Sequence, residues 1–224
     1  MAWIIFGVVA LLSWIVQKSL DSKFKKYSEI ELPSGLTGAD VARKMLADNG
    51  ITDVTVRATN GLLTDHYNPT DKTVNLSEGV YNSCSVAAAA VAAHECGHAV
   101  QHAYGYAPLK MRSALVPAVN FSAKFVSWIL LAGMIFLNTF PQLMLAGIVL
   151  FALTTLFSFV TLPVEINASK RALLWLNNAG ITNYETHPQA EDALRTAAYT
   201  YVVAALGSLA TLFFYIMVYA SRRD

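Results

Sequence analysis

Charge is what this 224-residue chain has least of. Charged residues make up 14% and apolar ones 55%, where soluble domains run near about 25% and 45–50%. That scarcity excludes an ordinary water-solvated domain and fits a chain with lipid as part of its solvent. The net charge is only +1, so there is no basic field to hold nucleic acid, and no nucleic-acid partner is expected. Cysteine is also sparse: Cys84 and Cys96 are the whole supply. Both are expected in one helix, about 18 Å apart along its axis, which excludes a disulfide between them. Internal repeats and low-complexity tracts are absent.

What is present is apolar runs, and four of them read as membrane spans. The first, 2–16, is uncharged, with Trp3 and Trp14 near its ends. No positive segment precedes it and no clear small-residue cleavage site follows, so an uncleaved anchor is expected rather than a signal peptide. The run 114–164 holds a single charge, Lys124, and breaks at Asn138-Thr139-Phe140-Pro141. It reads as two spans joined in a tight hairpin. Residues 125–137 are too few to cross about 30 Å of hydrocarbon, so the first arm must begin upstream and carry Lys124, which then snorkels or faces the bundle interior. The last span, 196–220, has no charge.

Polar chain fills 17–113 and 165–195. Lys18, Lys23, Lys25, Lys26, Lys110, Arg112, Lys170, Arg171 and Arg195 all flank the spans from these two regions. With four spans both regions share one side, which the positive-inside rule makes cytoplasmic, although Arg222 and Arg223 then lie outside. The expected organisation is an anchor at 1–17, a catalytic region at 18–113, a hairpin at 114–164, a further helix and loop at 165–195, and a last span at 196–224. Within 18–113, Thr37 is expected to cap a helix to Asp48, and 53–58 alternates like a strand. Residues 62–67 and 73–76 flank an Asn68-Pro69-Thr70-Asp71 turn as a hairpin would. The next helix is expected over 83–104.

That helix carries His94-Glu95-Cys96-Gly97-His98, an HExxH pattern. Residues four apart share a helical face, so both imidazoles can meet one zinc ion, and Glu95 points aside, where a general base for water belongs. A catalytic zinc site usually has a third protein ligand. His102 fails this role, because about 12 Å of helix rise separates it from His94. Glu165 is the better candidate, since it follows the third span on the same side as the HECGH helix. Pro163 marks a kink or the first turn of a new helix, which Thr161 could cap. Ser169, one turn on, and Asn167 are candidates to orient the ligands. His66 is the candidate donor to a developing oxyanion, with Tyr67, Arg171 and Tyr201 behind it.

HECGH, the hairpin of spans and the segment EINASKRAL at 165–173 together resemble the YugP-type neutral zinc membrane metallopeptidases. The stretches 63–69 (LTDHYNP) and 76–78 (LSE) are similar to that family too. The resemblance implies a gluzincin-like site with Glu165 as third ligand and one zinc ion. The heat-shock-type and prenyl-protein-processing membrane metalloproteases are more distantly similar; they carry E-x-x-A-D where this chain has Glu165-Ile166-Asn167-Ala168-Ser169. The expectation is a mainly α, polytopic protein of the cell membrane, with about four transmembrane helices and a small zincin-like α+β catalytic region at the membrane surface. Its substrates are expected to be membrane proteins, or peptides presented at the bilayer. A catalytically silent zinc-binding scaffold is the alternative. A transporter is disfavoured, because the spans hold few polar residues beyond Asn120, Lys124 and Asn138.

Overall fold

The computed structural model describes residues 2–61 and 63–221, with side chains from residue 6 onward. Leu62, Arg222 and Arg223, and the side chain of Trp3, therefore lie outside the described residues. The chain is mainly helical: α1 (Ala2–Ser28), α2 (Gly38–Asp48), β1 (Thr55–Thr59), β2 (His66–Asn68), β3 (Thr73–Ser77), α3 (Glu78–Tyr81), α4 (Val86–Ala103), α5 (Ala107–Ile135), α6 (Pro141–Asn178) and α7 (Thr186–Ala220).

Local signals account for several boundaries. The Thr37 side chain accepts from Asp40 N–H, and the Asp40 side chain returns the bond to Thr37 N–H, closing a capping box that starts α2. Ser85 caps α4 by accepting from Ala88 N–H. That cap leaves Cys84 in the turn before the helix, not within it, where its carbonyl accepts from Leu32 N–H. Both cysteines are free thiols. The expected hairpin forms as β2 antiparallel to β3, with Tyr67 opposite Val74; β1 joins β3 in parallel, so β2 is an edge strand.

Among the described residues three helices, α5, α6 and α7, are long and apolar enough to cross a membrane. The expected span at 2–16 forms the first half of α1, whose opening side chains lie outside the described residues. α5 and α6 fold back at 136–140, where the expected break lies, and Pro141 opens α6 at a position that needs no N–H donor. The hairpin is tight at Gly133, where a Cβ would stand 2.7 Å from the Met144 Cα. Lys124 is exposed on α5, so its charge points away from the bundle, as snorkelling requires.

One expectation is corrected at Pro163. No new helix begins there: α6 runs through it, and Thr161 donates its hydroxyl to the Phe157 carbonyl instead of capping. Val160, Val164 and Ala168 are all buried on this stretch, and that packing holds the backbone helical across the missing donor.

The main core joins α2, the sheet and α4 to Ala172 and Leu176 of α6 and to Ala190 and Leu194 of α7. The polar halves of α6 and α7 thus belong to the same packed unit as 18–106. Asp192 of α7 ties α1 to this unit by accepting from Lys23 Nζ at 2.8 Å and from Tyr27 Oη at 2.7 Å.

Candidate metal centre

The alanine run 87–90 and 92–93 is buried almost completely, so α4 can lie close to its neighbours. One close approach is at Gly97, where a Cβ would stand 2.6 Å from the Ala168 carbonyl oxygen of α6. Glycine at the second x of the motif thus lets the helix of His94 and His98 come close to the helix of Glu165. Gly97→Ala must push them apart, at an expected cost of about 1–3 kcal/mol. A lowered melting temperature in detergent checks this; a wild-type value would contradict the close approach.

Across that contact His94, His98 and Glu165 each turn one donor atom to a common point, and those atoms all lie within 4.8 Å of one another. His94 Nε2 is 3.3 Å, and His98 Nε2 is 3.6 Å, from Glu165 Oε2. Tetrahedral zinc with bonds of about 2.0–2.1 Å spaces its ligand atoms by about 3.3 Å, so the donor set fits this ion. Glu165 Oε2 is buried without a hydrogen-bond partner, a costly state that a cation would relieve. Burial alone would lower the pKa of His98, yet the Glu165 carboxylate facing its ring and the charge of Glu95 outweigh it and raise it. The field at the site is negative, as a cation requires.

The groups behind His94, His98 and Glu165 fix their orientation. His98 Nδ1 faces Gln101 Oε1 at 3.1 Å. An amide oxygen only accepts, so Nδ1 carries the proton and Nε2 keeps its lone pair for a metal. Gln101 in turn donates to the Val164 carbonyl at 2.7 Å and to Asn167 Oδ1 at 3.0 Å. His94 Nδ1 lies 3.1 Å from Ser169 Oγ. Arg112 from α5 reaches Glu165 Oε1 at 3.3 Å, which occupies that oxygen and leaves Oε2 toward the imidazoles. Glu95 Oε2 accepts from Tyr67 N–H of the edge strand β2 at 3.0 Å.

The structure brings His94, Glu95, His98, Glu165 and Ser169 together. Asn167 acts one step further away, through Gln101. His66 lines the cleft, but its Nδ1 faces the Thr64 carbonyl at 2.8 Å and its Nε2 faces the Asn75 amide nitrogen at 3.2 Å. With Nδ1 donating and Nε2 accepting, no ring proton is left for the cleft. Arg171 is turned to Asn167 Oδ1. His102 pairs with the Tyr67 hydroxyl at 2.7 Å. Tyr201 lines both cavities that meet at the site. Sequence reasoning missed Gln101 and Arg112. Gln101 stood one helical turn beyond His98, a readable signal; nothing in the sequence pointed Arg112 at Glu165.

The family described as "Putative neutral zinc metallopeptidase" matches residues 2–220. The chain belongs to this family. It is also 41% identical over 225 aligned residues to the protein of Bacillus subtilis (strain 168) named "Putative membrane protease YugP", covering 100% of this chain and 99% of that relative. No solved structure matches. A zinc family with a membrane relative agrees with the donor set and with the three apolar helices.

Proposed function

We propose that this protein is a zinc-dependent membrane endopeptidase in which His94, His98 and Glu165 hold one zinc ion and Glu95 is the general base. The observation that carries the reading is the convergence of His94 Nε2 and His98 Nε2 on Glu165 Oε2, which is buried without a hydrogen-bond partner, with Glu95 lining the same cleft. Zinc held there supplies Lewis acidity toward a scissile carbonyl and toward water. Tyr67 N–H holds one oxygen of Glu95 in place; the other takes the proton of the attacking water and passes it to the leaving amine. Tyr201, which lines both cavities, is a better candidate oxyanion donor than His66, whose ring nitrogens are engaged. A cavity of about 490 Å³ runs past His94, Glu95 and His98. That room for substrate favours catalysis over a silent zinc-binding scaffold.

The substrates we propose are membrane proteins, or peptides presented at the bilayer surface, cleaved on the cytoplasmic side of the cell membrane. Support comes from α6, which carries Glu165 at the end of its apolar stretch, and from the basic residues that flank the spans beside the site. The test is purified protein in micelles with a membrane-anchored peptide substrate. Cleavage should stop with a zinc chelator, return with zinc, and outpace cleavage of soluble casein. Chelator-resistant cleavage would refute the metal reading, and equal rates on casein would refute the substrate class.

A further inference from the structure

The cleft has a second arm. A smaller cavity of about 150 Å³ shares His94, Glu95 and Glu165 with the wide one and then departs from it. Beyond Ser169 and Tyr201, its other walls are mostly apolar: Phe24 of α1, Leu63, Val91 of α4, and Leu194, Ala197 and Ala198 of α7. Asp65 also borders it, but both its oxygens are engaged by Ser77, through its N–H at 2.7 Å and its hydroxyl at 3.1 Å. Those bonds turn the Asp65 oxygens toward Ser77, and six apolar side chains make up half of the lining. An apolar cavity of about 150 Å³ is large enough for benzene. A group that sits there while the catalytic residues act on a peptide bond belongs to a residue next to that bond.

We propose that this arm is the subsite for one apolar side chain, of benzyl or branched aliphatic size, flanking the scissile bond, and that Ala197 and Ala198 set its width. The proposal rests on the peptidase reading of the cleft and adds its substrate preference. The two methyl groups come from α7 and Phe24 from α1, so the preference is set by the helices at the membrane boundary and not by the sheet. Enlarging either alanine to leucine fills volume that the substrate side chain would take.

The test uses dipeptide hydroxamates that differ in one side chain (benzyl, methyl or lysyl), titrated into the zinc-loaded full-length protein in micelles. Burying a benzyl group in place of a methyl should tighten binding by about tenfold to a hundredfold. That ratio should persist in Glu95→Gln and fall toward one in Ala197→Leu and in Ala198→Leu, with zinc content measured to verify folding. Equal benzyl and methyl affinities, tighter lysyl binding, no binding of any probe, or a ratio unchanged in both leucine variants would each overturn the subsite. Benzyl preference in a wild-type protein that cleaves no peptide would instead leave the subsite standing and sink the peptidase reading.

Discussion

Glu95→Gln is expected to lower turnover by about 10²–10⁴-fold while zinc stays at the wild-type level. The substitution keeps the size of the side chain and an oxygen to accept from Tyr67 N–H, the one bond this carboxylate makes among the described residues. It removes only the capacity to take a proton. Glu95 also stands outside the donor set formed by His94, His98 and Glu165, so metal retention should be unaffected. Turnover and metal content measured on one preparation separate the possibilities. Wild-type turnover would place the base elsewhere, and zinc loss would make Glu95 a ligand.

Glu165→Ala should cost more than activity. Losing a supporting hydrogen bond at a metal site weakens binding by about 10–100-fold, and losing a ligand should exceed that. The variant also leaves the Arg112 guanidinium, now without its carboxylate partner 3.3 Å away, as an uncompensated cation beside the two imidazoles. Zinc occupancy well below one per chain is the expected result, with peptide cleavage lost. Glu165→Gln provides the control for folding, because it preserves shape and should still bind zinc poorly. His102→Ala should keep zinc, since His102 is engaged with Tyr67 and not with the donor set. Full occupancy in Glu165→Ala would transfer the third ligand to another residue.

What the sequence made legible is local. Four-residue spacing puts His94 and His98 on one face whatever surrounds them, and Thr37 caps α2 through residues three positions away. Asn138 and Pro141 break the apolar run because few continuations are open to such a segment. What stayed hidden depends on distant packing. α6 passes through Pro163 because buried neighbours hold it, and a proline alone reads as a kink or a helix start. α7 begins at Thr186, ten residues before its apolar run, because Asp192 finds Lys23 and Tyr27 on α1 and keeps a polar segment helical. The ties from Gln101 to Val164 and from Arg112 to Glu165 link residues 63 and 53 apart in sequence. No spacing rule reaches that far.

X-ray absorption at the zinc edge of the zinc-loaded wild-type protein addresses the ligand set directly. The expected spectrum shows nitrogen and oxygen neighbours at about 2.0–2.2 Å, with outer scattering from two imidazoles and no sulfur. A third imidazole, or a sulfur shell at about 2.3 Å, would contradict a centre built from His94, His98 and Glu165.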